Sequence, residues 1–388
     1  MRTLIISDLH LGSVTRSDLL RRSELRATLL EALDGIDRLV LLGDVLELRH
    51  GPLREAMEAA RPFFEDLGRA FGGELVIAAG NHDHALVEPW LASRGGEHDP
   101  GPLAVEQLLA PAAVSPAMAR IAEWASPART TVAYPGLWVR PDVYATHGHY
   151  LDSHLTVPTL ERLSVGAMSR LFGKAPSEFA AADDYESAGA PVFAWRDVVA
   201  RYTHPGAALN GMATVAAWRT LGGGSGEDGH DSRPRRSRRP VRRLTRMLRR
   251  RALIAGFPVA VAALNRAGIG PLRADISGRE LRRAGLAAMG EVAARLDLGD
   301  AYVVFGHTHR AGPFPRDHPE EWLGPAGARL VNCGSWTYAA IFLDSAGPSN
   351  PYWPGSAVIV DEQGPPELVR LLEDRSQSQL APPVPAAG

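Results

Sequence analysis

The sequence predicts an α/β protein: a buried sheet with helices packed on it, broken by a large helical insertion. Three observations carry this. Short apolar runs alternate with helix-like stretches through the first third of the chain. Each of five such runs ends in a cluster of Asp, Asn, His and Gly. Between Tyr150 and about Asp300 the strand rhythm stops and then resumes. Strands that read as continuous apolar runs, spaced by helices, are those of a sheet covered on its faces.

In chain order, Thr3-Leu4-Ile5-Ile6 reads as the first strand and ends at Ser7-Asp8. A helical pattern follows through Leu19, Leu20, Leu25, Leu29, Leu30 and Leu33. Leu39 to Leu42 is the second strand, ending at Gly43-Asp44, and Leu53 to Phe71 is helical. Leu75 to Ala79 is the third strand, ending at Gly80-Asn81-His82-Asp83. Later strands are expected at Val143–Thr146, Tyr302–Phe305, Leu330–Asn332 and Ala357–Val360, with a closing hairpin through Glu367 to Leu372. The expected division is a core of 1–150 and 300–372, a helical insertion of 151–299 holding a Gly-rich and Arg-rich linker (222–251), and a disordered tail at 373–388.

Composition excludes several classes. One cysteine, Cys333, rules out an intramolecular disulfide framework and Cys-rich zinc modules. No apolar run reaches the roughly 18 residues of a membrane-spanning helix. The N-terminal residues lack a signal-peptide pattern, so the expected compartment is the cytoplasm. The net charge of −2 implies no polyanionic partner, but eleven of the arginines fall between Arg233 and Arg251.

The polar clusters carry the chemistry. They are Asp8-Leu9-His10, Gly43-Asp44, Gly80-Asn81-His82-Asp83, His147-Gly148-His149 and Gly306-His307-Thr308-His309. Ligands of α/β sheets gather beyond the carboxyl ends of strands, so five such clusters converge. In an extended segment, residues two apart point to one side, which aims Asp8 with His10 and His307 with His309. Asp, Asn and His without thiolates suit Mn, Fe, Zn or a similar divalent ion. Seven candidate ligands suit two ions, as in phosphoryl hydrolysis, with Asp44 as the bridging carboxylate.

At these residues the sequence resembles the calcineurin-like metallophosphoesterase superfamily, through D-x-H, G-D, G-N-H-D, H-G-H and G-H-T-H in order. The resemblance implies a β-sandwich flanked by helices and a metal-dependent phosphoric ester or diphosphate hydrolase, working by a metal-bridged hydroxide. It implies one metal on Asp8, His10, Asp44 and His309, and a second on Asp44, Asn81, His147 and His307, with manganese the ion for assay. His82 matches the position that assists the leaving group, and Glu47 the carboxylate that orients it. His149 and Asn332 are expected to bind substrate, Asn332 from a turn that resembles the family's N-P-G-S and shapes the site wall.

The position of the insertion is similar to the lid of UDP-2,3-diacylglucosamine diphosphatases, a lipid-processing branch that has Arg where this chain has His82. From Val241 to Ala255, apolar residues recur on one helical face with arginines opposite, followed by the apolar run Ala252 to Leu264. This suggests docking on an anionic membrane at its inner face. The expected substrate is therefore a phosphorylated small molecule, a nucleotide or a lipid-linked compound. The alternatives are a nuclease of the same superfamily, with the arginines on DNA, and a non-enzymatic scaffold that binds membrane or nucleic acid.

Overall fold

The computed structural model describes residues 1–94, 101–159, 162–164, 166, 174–189, 192–193, 259–267, 269–273, 275, 278–343 and 347–382. The Gly-rich and Arg-rich linker, the helix expected from Val241 to Ala255, Trp195, Trp218, His98 and His204 lie outside these residues.

The strands are β1 (Thr3–Ile6), β2 (Arg38–Leu42), β3 (Glu74–Ala78), β4 (Glu106–Leu109), β5 (Arg129–Arg140), β6 (Val143–Thr146), β7 (Tyr302–Phe305), β8 (Arg329–Asn332), β9 (Ser356–Val360) and β10 (Glu367–Arg370). They join in one mixed sheet of order β10-β9-β1-β2-β3-β5-β6-β7-β8, with β4 added beside β5. The β1-β2-β3-β5 run is parallel, β5 to β6 is antiparallel, and β6-β7-β8 is parallel again.

The sandwich expected from the resemblance takes the form of a single open sheet folded over on itself. Val331 of β8 and Val358 of β9 lie near opposite ends of the strand order, yet share one buried cluster with Ile5, Val40, Val76 and Val304. The corner is β5. Its first half pairs with β3 and its second half with β6, with register shifts on both flanks. Bulges of this kind bend a strand and let it pass between layers.

The outer face of the sheet is covered by α1 (Ser23–Glu31), α2 (Leu53–Ala70), α3 (Glu88–Ser93), α4 (Pro111–Val114), α5 (Pro116–Trp124) and α6 (Gly278–Arg295). On α2, Ala56, Ala60, Phe63, Phe64 and Leu67 recur at three- and four-residue steps and are buried. The same core takes Ala288, Met289 and Val292 from α6. The expected insertion thus ends earlier than residue 299, because α6 is a flanking helix of the sheet.

The tail also differs from expectation. Residues 373–382 are ordered, and α7 (Gln377–Leu380) is capped by Ser376 and buries Leu380 completely. Arg22 holds it by donating to the carbonyls of Gln379 and Ala381. Polar composition concealed one buried leucine and a capping box.

Candidate metal centre

The five polar clusters lie at the carboxyl ends of β1, β2, β3, β6 and β7. Their loops are stitched together by backbone bonds: Asp8 N–H donates to Gly43 O, His10 N–H to Asp44 O, and Gly306 N–H to His147 O. The two-apart argument holds in outcome but not in cause. Asp8, His10, Asp44, His307 and His309 all have positive φ, between 45° and 65°. This left-handed conformation is costly for residues with a Cβ and concentrates at functional sites. The glycines of the motifs have a steric reason. A Cβ on Gly80 would stand 2.2 Å from Asp44 Oδ1, and one on Gly306 would stand 2.5 Å from Asp8 Oδ2.

Asp44 sits at the centre. Its Oδ1 accepts the His82 backbone N–H at 2.8 Å. Its Oδ2 lies 3.7 Å from His10 Nε2 and 3.4 Å from His147 Nε2. On one side, Asp8 Oδ1 is 3.2 Å from His309 Nε2, and that nitrogen is 3.3 Å from His10 Nε2. On the other, Asp44, His147 and His307 present ligand atoms within 4.8 Å of one another.

The outer hydrogen bonds fix which ring nitrogens face inward. His10 Nδ1 donates to Glu47 Oε2 at 3.1 Å, and His147 Nδ1 to Leu42 O at 3.0 Å. With Nδ1 engaged outward, Nε2 of each ring faces Asp44, and in the neutral ring it offers its lone pair there. His307 turns Nε2 to both oxygens of Asp152 at 3.1 Å, leaving Nδ1 for the centre. His309 Nδ1 is 3.3 Å from Thr337 Oγ1. Outer partners of this kind orient imidazole ligands of metals.

The donor set fits divalent cations on this evidence. The Asn81 amide reaches Asp44 Oδ2 at 3.2 Å and His147 Nε2 at 3.3 Å with one end and Arg49 Nη2 at 2.9 Å with the other; with Oδ1 turned inward it would be a third oxygen donor for a cation. Turning the amide over would instead donate to both and accept from Arg49. Asp8 Oδ1 is buried without a hydrogen-bond donor among the described residues. Converging lone pairs and an undonated buried carboxylate oxygen are what a cation satisfies. Asp8, His10, Asp44 and His309 could hold one ion, and Asp44, Asn81, His147 and His307 a second.

Electrostatics follow from burial and from these contacts. Burial raises the Asp44 carboxyl, but His147 and His82 outweigh it and hold it well below the usual range. Burial lowers His147, but Asp44 wins and lifts it to about 9. Glu47 is held low in the same way, by His82 and His10 against burial. His82 goes the other way: burial, then the Arg49 guanidinium, push it down to about 4.

Glu47 has more than the expected single partner. It meets His82 Nδ1 with both oxygens, at 3.0 and 2.9 Å, as well as His10. On its other side, His82 Nε2 is 2.9 Å from Arg49 Nη1. Asp83 is a brace, accepting the backbone N–H groups of Gly80, Val45 and Leu46.

Two sequence expectations need correction. Asn332 is 1% exposed and its amide is fully spent within the fold. It donates to Gly306 O and Thr308 Oγ1 and accepts Gly334 N–H, so it braces the G-H-T-H loop and does not meet substrate. His149 is 3% exposed, packed behind His147 against Tyr150 and Phe193, and presents no open face to a substrate. Its ring is held neutral by burial, then by His147 and His307.

Sequence reasoning missed Arg49, Asp152 and Glu186. Asp152 lies three residues after His149, in the 3-10 turn His149–Ser153, a spacing that could have flagged it. Glu186, from helical residues 182–189, reaches the core and accepts from Tyr134 OH at 2.5 Å and Tyr150 OH at 2.6 Å, with His84 Nε2 at 3.1 Å. Nothing local in the sequence marks that contact.

Comparison with known proteins agrees with this geometry. Residues 1–170 match the family model described as calcineurin-like phosphoesterase. The matched residues belong to the calcineurin-like metallophosphoesterase superfamily, a family of metal-dependent phosphoesterases, in agreement with the hydrolase expected from the sequence. The match contains β1 to β6 and four of the five clusters, and the fifth joins them through the sheet. No curated protein matches the chain.

Proposed function

We propose that the protein hydrolyses a phosphate ester or diphosphate bond at a dinuclear centre held by Asp8, His10, Asp44, Asn81, His147, His307 and His309. The observation that carries this is Asp44 Oδ2, placed between the inward-facing Nε2 atoms of His10 and His147 at 3.7 and 3.4 Å. One carboxylate oxygen in that position can serve two ions. When bound, such ions supply Lewis acidity and a nucleophilic oxygen at neutral pH. Manganese is our choice for loading, on the mixed oxygen and nitrogen donors.

The protein's own part is positional. Glu47 ties a ligand, His10, to His82, so the two imidazoles keep a fixed relation. His82 keeps a neutral ring beside the reacting phosphate, and the buried walls around Asp8 and Asp44 exclude bulk water. A manganese-loaded sample screened against phosphomonoesters, phosphodiesters, nucleotide diphosphates and lipid-linked diphosphates tests the reading. Turnover that a chelator abolishes is the expected result; no metal-dependent turnover of any of them refutes it.

A second element of the proposal is peripheral docking on anionic membrane at the inner face, which would suit a lipid-linked substrate. It is supported by the Arg-rich sequence and by Val259, 69% exposed at the described end of the apolar run. Among the described residues no helix is long and apolar enough to cross a membrane. Flotation with anionic vesicles should carry the full chain and not a chain lacking 233–264. Duplex DNA binding without vesicle binding would favour the nuclease reading.

A further inference from the structure

The guanidinium of Arg49 stands over the centre in a way that bears on substrate class. Its Nη1 is 2.9 Å from His82 Nε2, and its Nη2 donates to the Asn81 carbonyl oxygen at 2.8 Å. Arginine has no acceptor, so His82 must accept at Nε2. Glu47 accepts at the other nitrogen, Nδ1. His82 and the Asn81 carbonyl thus hold the Arg49 guanidinium in place beside the centre.

We propose that Arg49 is a catalytic residue that takes the leaving group, and that the leaving group is itself a phosphate, so the substrate is a phosphoanhydride. This rests on the hydrolytic reading above and narrows it. The chemistry favours that class for a definite reason. An alcohol leaves as a strong base, near the roughly 15.7 of water, and needs a proton. A phosphate monoester, with a second pKa of about 6, leaves without one. It needs charge neutralisation, which a planar guanidinium gives through two parallel N–H bonds.

In the step, the oxygen of water forms the new P–O bond. The bridging P–O bond breaks with its electron pair on the departing phosphate, against Arg49. The two protons of water pass to the product phosphates and solvent, so nothing is oxidised or reduced.

The test is a leaving-group series on the manganese-loaded full chain: an ADP-type diphosphate, aryl phosphates of graded leaving-group pKa, and an alkyl phosphate. Arg49→Ala, Arg49→Lys and wild type are compared, with bound manganese measured on each. Wild type should prefer the anhydride. Arg49→Ala should lose about 10²–10³-fold in kcat/KM on it, show a steeper dependence on leaving-group pKa, and recover in part with added guanidinium. Arg49→Lys, with charge but no fork, should fall between.

A uniform loss across the series, or loss matched by lost manganese, overturns the proposal, because Arg49 would then only support the centre. Turnover of alkyl phosphates as fast as anhydrides overturns it while leaving the hydrolytic reading intact. Binding of methylenediphosphonate, read by calorimetry, decides without turnover. Affinity at least tenfold weaker in Arg49→Ala supports the proposal; equal affinity refutes it, even if no substrate is hydrolysed.

Discussion

Replacing Glu47 by Gln separates the two jobs that its carboxylate performs. Oε2 faces His10 Nδ1 at 3.1 Å and His82 Nδ1 at 2.9 Å, while Oε1 faces His82 Nδ1 at 3.0 Å and accepts the Arg49 backbone N–H at 2.9 Å. A glutamine must put its NH2 at one of these positions, and both are already surrounded by N–H donors. Whichever way the amide turns, at least one charge-assisted bond becomes a donor–donor contact. Bonds to charged groups contribute about 1.5–3 kcal/mol. Losing an outer partner of a metal-bound histidine typically costs about 10–100-fold in metal affinity. Chelator-competition titration of manganese should therefore show Glu47→Gln weaker by that factor. At saturating manganese, kcat should stay reduced, but by less than the roughly 10²–10⁴-fold assigned to a full acid–base group. Wild-type manganese affinity in the variant would show that the His10 contact is idle and that Glu47 serves His82 alone.

Asp44→Asn should reduce bound manganese from about two ions per chain to one or none, because a single carboxylate faces both sides; elemental analysis after loading checks this, and full occupancy would contradict the bridging role. Asp152→Ala should weaken manganese binding by about 10–100-fold through His307, with the fold intact by circular dichroism. His154 is pushed down to about 4 by burial and then by Arg295. Its contribution to stability is thus complete above the unfolded value near 6.5 and is lost as pH falls toward 4, up to about 2–3 kcal/mol. His154→Gln should flatten the fall of the urea midpoint between pH 7 and 4.5, and an unchanged slope would refute that account.

Local patterns reach some parts of this molecule and not others. Strands β1, β2 and β3 and the clusters after them were readable because each is a short apolar run followed by a motif whose glycine, acid and imidazole have fixed jobs. Strand β5 was not, since Pro135 and Gly136 interrupt it and Arg129-Thr130-Thr131 opens it with polar residues. A proline in a strand argues against the strand unless a bulge accommodates it, and here one does. The helix α6 reads like the insertion before it, and it is the burial of Leu286, Ala288, Met289 and Val292 that assigns it to the core. Among site residues, those within motifs were accessible. Asn332 was misjudged because a motif residue can support a loop as readily as it meets a substrate. Arg49 and Asp152 act through contacts with His82 and His307, and no spacing rule reports a meeting across 33 or 155 residues.

The left-handed backbone at Asp8, His10, Asp44, His307 and His309 sets fitness and robustness in opposition. Each of these residues holds a conformation that costs of order 1–3 kcal/mol with a side chain and little with glycine. Glycine at any of them would relax the metal-free fold while deleting a ligand. A collection of variants sorted by melting temperature without added metal would therefore enrich broken centres. The same collection sorted with manganese present should rank in the reverse order at these five positions, because the ions bind the native state alone. Retention of the strained residues is thus a record of selection for the loaded protein, and stability engineering of this fold has to be scored in that form.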